Sequence, residues 1–212
     1  MNGFLRLWRQ LPVTISVLLL TLAITLLTGL GDYDETFYWF TIVPVYIQGN
    51  QASAGTLQLM LESGQWWRLL TPIFLHFSLL HIVFNSLWIW ESGKRLEPAF
   101  GRIWLLLAIA GVGVIANLAQ YWAGVVRFGG LSGVVYGLLG FIWLWDRLRP
   151  AQSLNMPPAL FGFMIFWLVL GYLDVPASLG MGQVGNEAHL AGLCSGLLLA
   201  FGTHLLRPQR VR

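Results

Sequence analysis

The sequence predicts an all-α polytopic membrane protein of six transmembrane helices with a long interfacial first external loop. Three observations lead there. Of 212 residues, 57% are hydrophobic and only 10% are charged, against about 25% charged residues in an ordinary soluble domain. The apolar residues fall in long stretches free of Asp, Glu, Lys and Arg, each able to supply the roughly 20 residues that cross a bilayer as a helix. Eleven Trp and thirteen Phe supply the aromatic content found at membrane interfaces.

The stretches place spans at about 11–30, 70–90, 103–123, 131–146, 158–173 and 187–206, in a single domain of residues 1–212. The first is long for the apolar region of a signal peptide and lacks an A-x-A-like cleavage site, so it is expected to be retained. The fourth charge-free run, Phe128 to Trp145, is the shortest and opens with Gly129-Gly130, a poor start for a helix deep in lipid. The fifth is expected to begin at Pro157-Pro158, because Pro suits a helix's first turn.

Six spans put both termini on one side. Arg6, Arg9, Lys94, Arg95, Arg102, Arg147, Arg149, Arg207, Arg210 and Arg212 then share that side, with only Arg68 and Arg127 opposite. The bias makes both termini cytoplasmic. The loop of about 31–68 holds Tyr33, Phe37, Tyr38, Trp39, Phe40, Tyr46, Trp66 and Trp67. So aromatic a loop is expected to lie in the outer interface, partly as amphipathic helix. The lone Cys194 excludes an intrachain disulfide and is expected to be a small packing residue. No Cys, His and carboxylate cluster has metal-ligand spacing, so neither metal nor cofactor is expected. A net charge of +3 gives no nucleic-acid face.

Polar residues inside spans are costly and invite a functional reading. His76, His81 and Asn85 lie in span two, Ser132 opens span four and His189 opens span six. All three spans run from outside to inside, so the five residues share one layer below the external surface. His81 and Asn85, four apart, share a helix face, as do Ser132 and Tyr136. Gly129, Gly133 and Gly137 in one segment, and Ala188, Gly192, Gly196 and Ala200 in the other, recur in four-residue steps that let helix backbones approach closely.

A serine hydroxyl is a weak nucleophile until a base accepts its proton, and His suits that role near neutral pH. His81, Asn85 and the Ser132 amide are candidate donors to a developing oxyanion. No acidic residue lies in the apolar core of a span, and Glu187, two before His189, falls on another helix face. A Ser132–His189 dyad is therefore expected rather than a triad, with the Tyr136 ring orienting the imidazole by packing. Singly these residues are weak signals: Ser132 beside glycines suits packing, and Asn85 suits interhelical hydrogen bonding. Their coincidence at one depth carries the argument. A transporter would need polar groups through the full depth, and the inner halves of the spans are almost wholly apolar.

The motifs match a known pattern. Gly130-Leu131-Ser132-Gly133 fits G-x-S-G, and Ala188-His189-Leu190-Ala191-Gly192 fits A-H-x-x-G. His76, His81 and Asn85 fit H-x-x-x-x-H-x-x-x-N, and Trp67-Arg68 fits a W-R pair. Gly93 to Gly101 fits G-x-x-x-E-x-x-x-G around Glu97. Over about 65–206 the chain resembles the rhomboid family of intramembrane serine proteases, in its bacterial GlpG-like type. The resemblance implies a rhomboid-like bundle in a bacterial inner membrane, with the active site opening to the external, periplasmic side. It implies Ser132 as nucleophile, His189 as general base and His81, Asn85 and the Ser132 amide as the oxyanion site. Tyr136, His76, Gly130 and Gly133 support them, Glu97 has a structural role, and Trp167 in span five lines lateral access.

The implied substrates are single-span or other transmembrane proteins, cut in or near the transmembrane helix. Small residues are implied near the cut and helix-destabilising ones beyond it. The cytoplasmic domain of many family members is expected to be missing, since only about ten residues precede span one. The alternative is a non-catalytic binder of membrane helices, like inactive members of the family. Those typically lack the catalytic Ser or His, and this chain has both.

Overall fold

The computed structural model describes residues 3–49, 51–178 and 183–207. Arg210, Arg212 and part of the loop after span five lie outside them. Two helices open the chain, α1 (Gly3–Gln10) and α2 (Pro12–Leu27); Pro12 sits where its missing N–H is no loss. The first loop holds α3 (Asp34–Phe37), a hairpin of β1 (Val45–Gln48) and β2 (Gln51–Ala54), and α4 (Leu57–Glu62). The strands pair antiparallel, Val45 opposite Ala54 and Gln48 opposite Gln51. Two 3-10 turns follow, then α5 (Leu79–Phe100), α6 (Arg102–Trp122), α7 (Ser132–Leu148), α8 (Pro158–Tyr172), α9 (Val175–Ser178) and α10 (Asn186–Leu206).

The fold is mostly helical, and the hairpin departs from the all-α expectation. The Val45-Tyr46-Ile47 run has the β-branched and aromatic character that suits a strand, and Gly49 takes the positive φ that its turn demands. The first loop is folded, α-helical only in the short α3 and α4. Phe37, Ile42, Val43 and Met60 are buried, while Tyr33, Trp39, Tyr46, Trp66 and Trp67 are exposed. Arg68 pins it from inside: Nη1 donates to the carbonyls of Tyr38 (2.6 Å) and Thr41 (2.9 Å), and Nε to Gln65 Oε1 (2.6 Å). Burial lowers the Arg68 pKa from its ordinary value, yet a guanidinium so shifted keeps its charge.

A second departure concerns His76. The expected span from 70 is not helical at its start. Thr71–Phe74, carrying Pro72, is a 3-10 turn, and Ser78 caps α5 by accepting from the His81 N–H at 3.2 Å. His76 therefore sits in the extended approach to α5, not on the helix.

Contacts between elements fix their directions. Gly133 lies against Ala188 and Gly192, and Gly137 against Gly192 and Gly196, so α7 and α10 run parallel. Gly133 meets Ala116 of α6 while Gly137 meets Val112, so α6 runs opposite to them. The α5 end residue Phe100 packs on Phe141 and Trp145 late in α7, while His81 and Asn85, early in α5, lie beside Gly130. So α5 is parallel to α7. Tyr136 reaches Met164, whereas Trp143 stacks on Phe161, so α8 is antiparallel. The central helix is α7, buried along most of its length.

One carboxylate ties the first long helix to the rest. Glu97 of α5 is buried. It accepts from the N–H of Val13 (2.8 Å), the N–H of Thr14 (2.9 Å) and the Thr14 hydroxyl (2.7 Å). These N–H groups open α2 and have no partner within it, and a negative charge favours that helix end. Thr14 also lies against Gly93, where a Cβ would overlap its side chain.

The outer surface is apolar. Leu19, Leu20, Leu22 and Leu26 of α2, Ile103, Leu106 and Leu107 of α6, Phe163 and Phe166 of α8, and Leu198, Phe201 and Leu205 of α10 all face outward. So broad a surface would not stay soluble in water. Among the described residues, α6 and α10 are long and apolar enough to cross a membrane, and α2 and α8 are shorter apolar helices. Cys194 is exposed on α10, so it is not the interior packing residue expected: its helix turns the small glycine face inward and the cysteine outward.

Glu97→Ala should leave the opening N–H groups of α2 unpaired and destabilise the fold by about 2–3 kcal/mol. Denaturant titration of the two proteins in micelles, followed by circular dichroism, checks this.

Candidate active site

The site forms where α5, α7 and α10 all begin. Ser132 is the first residue of α7, reached through Gly129, Gly130 and Leu131. Gly130 has φ +122°, a conformation open mainly to glycine, and its N–H donates to the Pro72 carbonyl at 3.0 Å. A Cβ there would stand 2.6 Å from His81 Nε2 and 3.4 Å from Asn85 Nδ2. Glycine is thus required twice, by conformation and by the side chains that close on it.

His189 lies in the first turn of α10 and is buried. Its Nε2 is 2.7 Å from Ser132 Oγ. When the hydroxyl donates, Nε2 is the acceptor and the imidazole proton sits on Nδ1. That Nδ1 has no hydrogen-bond partner among the described residues, so no carboxylate completes a triad there. The Tyr136 ring stacks on the imidazole at 4.5 Å between centroids and 17° between planes. The Tyr136 hydroxyl donates to the Met164 carbonyl at 3.0 Å, which fixes the ring against α8.

His76 and Asn85 form a second pair. His76 Nδ1 is 3.2 Å from the Phe74 carbonyl, which only accepts, so Nδ1 carries the proton. His76 Nε2 must then accept from Asn85 Nδ2, at 3.1 Å. The amide has a second N–H, left for the side of Gly130. His81 completes the group: its ring lies 4.7 Å from that of His76 and its Nε2 abuts Gly130. The N–H groups of the first turn of α7 have no acceptor inside the helix and lie at its positive end. Side-chain donors thus gather around Gly130, two residues before Ser132, whose hydroxyl meets the His189 imidazole.

Gly133 closes the arrangement, lying 3.1 Å, measured from a built Cβ, from the Ala188 carbonyl. All of Ser132, His189, His81, Asn85, Tyr136, His76, Gly130 and Gly133 come together. Trp167 lies on α8, where it stacks with Phe163. No group of three His, Cys, Asp or Glu side chains able to hold a metal occurs among the described residues.

Two neighbours escaped the sequence reading. Gln120, buried on α6, accepts the Ala188 N–H on Oε1 at 3.1 Å, beside His189. Asn117 donates to the Leu69 carbonyl at 2.9 Å and holds the approach to α5. Both are polar residues within an apolar stretch, the same signal that marked His81 and Asn85.

Residues 63–205 match the family model described as Rhomboid domain. The chain is 40% identical over 190 residues to the "Rhomboid protease GlpG" of Pectobacterium atrosepticum, 39% over 190 residues to that of Serratia proteamaculans and 36% over 193 residues to that of Yersinia pestis. Each match covers 90% of this chain and 62% of the relative. The chain thus spans under two thirds of the length of these curated relatives.

The 2.7 Å contact has a chemical consequence of its own. A serine-directed fluorophosphonate should label the chain at Ser132, and His189→Ala should slow labelling by about 100-fold or more. Mass spectrometry of the labelled peptide checks both the position and the rate.

Proposed function

The chain belongs to the rhomboid family, and from that premise we propose that it is an intramembrane serine endopeptidase working through a Ser132–His189 dyad. The observation that carries the reading is the 2.7 Å contact between Ser132 Oγ and His189 Nε2, inside a bundle whose outer surface is apolar. The relatives and the apolar helices mark an integral membrane protein. Six long helices alternating in direction support six crossings, with α2, α5, α6, α7, α8 and α10 as the spans. The basic residues Lys94, Arg95, Arg102, Arg147 and Arg149 gather at the end opposite the dyad. That end is then cytoplasmic, together with both termini, and the dyad opens towards the periplasm of a bacterial inner membrane.

In the proposed reaction Ser132 Oγ attacks the scissile carbonyl carbon while His189 Nε2 takes the hydroxyl proton. The resulting oxyanion receives hydrogen bonds from the free Asn85 amide proton, His81 and the Ser132 N–H. The imidazolium then protonates the leaving amine, the C–N bond breaks, and an acyl-enzyme remains. Water attacks this ester as His189 again accepts a proton. The bond from the acyl carbon to Ser132 Oγ breaks, and the imidazolium returns the proton to Oγ, restoring the serine and releasing the new carboxyl terminus. Tyr136 holds the imidazole plane, and the His76–Asn85 bond aims the Asn85 amide. The substrate is a transmembrane protein whose helix unwinds locally, since helical backbone is already hydrogen-bonded. At 17 residues, α7 is about 26 Å long, shorter than a hydrocarbon core of about 30 Å. The helices α2 and α8, at 16 and 15 residues, are shorter still, so the fourth span is not the shortest as expected. What supports water reaching Ser132 from outside is its place as the first residue of α7.

Purified protein should cleave a single-span reporter, and Ser132→Ala should abolish the cut. Cleavage that persists unchanged in Ser132→Ala would refute the dyad. Asn85→Ala should lower kcat by about 100-fold to 1000-fold, with KM changing much less. Acidification that protonates His189 removes the acceptor for the Ser132 proton, so kcat/KM should fall on the acid side of its pH profile.

A further inference from the structure

Arg127 lies three residues before Gly130, in the segment that leads into α7, and its side chain is half exposed. Its Nη2 donates to the Gly31 carbonyl at 2.7 Å, Nη1 pairs with Asp34 Oδ1 at 3.4 Å, and the guanidinium covers the Phe37 ring at 4.4 Å. Phe37 is completely buried. Its ring also meets Tyr38 edge to face, at 5.6 Å between centroids, and Phe77, at 5.7 Å. Phe77 in turn lies nearly parallel to His81, with 14° between planes and 6.3 Å between centroids. Gly31 seals the same stack from the side, where a Cβ would stand 2.9 Å from the Phe77 ring.

The contacts close into a ring. From Arg127 they pass through the first loop to Phe37, then to Phe77 and His81, and His81 Nε2 abuts Gly130, on the segment that carries Arg127 itself. His81 hangs from α5 by a flexible side chain, and its other ring neighbour, His76, is engaged with Phe74 and Asn85. The aromatic stack is therefore what holds the outer face of the His81 imidazole. A cation over an aromatic face is attracted to it, and here the cation also bonds the loop backbone. One side chain thus holds both ends of the ring.

We infer that Arg127 is a positioning residue for the oxyanion site, acting on His81 through Phe37 and Phe77. The inference rests on the proteolytic reading of the same site. It adds a residue outside the catalytic constellation and assigns the first loop a part in the chemistry. Oxyanion donors act only when held at the right place, and a displacement of about 1 Å costs up to about 100-fold. A loosened rather than deleted donor should cost about tenfold in kcat.

The test uses the full chain in detergent, as Arg127→Gln, Arg127→Lys and Phe77→Leu beside the unaltered protein and Ser132→Ala. Histidine 13Cε1 resonances are recorded with selective labelling, the His81 signal being identified by its loss in His81→Ala and His204 serving as an internal control. Arg127→Gln should shift or broaden the His81 signal and leave His204 unmoved. It should lower kcat about tenfold with KM within about twofold. Phe77→Leu should do the same, and Arg127→Lys, which keeps a charge and a donor for Gly31, should recover part of the loss.

An unmoved His81 signal in Arg127→Gln, or a kcat within about twofold of the unaltered protein, would overturn the inference. So would a thermal midpoint lowered by more than about 5 °C, which would assign Arg127 to the fold alone. The resonance readout needs no turnover. Absence of cleavage by the unaltered protein would therefore count against the proteolytic reading and leave the Arg127–His81 link to be judged by the spectra.

Discussion

Everything at the site depends on how closely α7 and α10 approach. A Cβ on Gly192 or Gly196 would overlap the carbonyl of Gly133 or Gly137, so the two backbones touch with no side chain between them. In a bilayer there is no hydrophobic gain in pressing two apolar helices together, and close packing of small residues supplies the attraction instead. The parallel register sets the first residue of α7 against the first turn of α10. A short serine side chain then reaches an imidazole at 2.7 Å. Larger residues at the glycine steps would part the helices by more than that contact tolerates.

The surroundings hold this pair from three sides. Tyr136 stacks on His189 and is tied to α8 through Met164. Gln120 of α6 binds the N–H next to His189. Asn85 is fixed by His76, whose own tautomer is set by the Phe74 carbonyl. At the far end, Glu97 caps α2, and Phe100, Trp104, Phe141 and Trp145 pack edge to face and stacked. Most polar groups buried in the bundle thus find partners, as apolar surroundings favour; His189 Nδ1, Thr25 Oγ1, Ser92 Oγ and Asn186 Oδ1 are the exceptions among the described residues.

Much of this was legible in the residues. Ser132, His189, His81 and Asn85 stood out because polar groups in apolar stretches are rare, and topology put them at one depth. The four-residue glycine steps announced the α7–α10 contact. What escaped notice did so for physical reasons. The β1–β2 hairpin has strands of four residues that are exposed at nearly every position, so no alternation of buried and exposed residues marks it in the sequence. Periodicity cannot tell that Ser78 caps α5 and leaves His76 ahead of it, because an apolar stretch is continuous across both. Arg127 had no local signal at all: its partners Gly31, Asp34 and Phe37 lie about 90 residues away, and only the folded loop brings them together.

The central claim is that Ser132 carries the acyl group of a cleaved membrane helix. Rapid-quench mass spectrometry of the enzyme during turnover of a single-span reporter tests it most directly. The account expects an adduct on the peptide containing Ser132, equal in mass to the N-terminal fragment of the reporter less water. Steady cleavage with no such adduct, and at the same rate in Ser132→Ala, would contradict it.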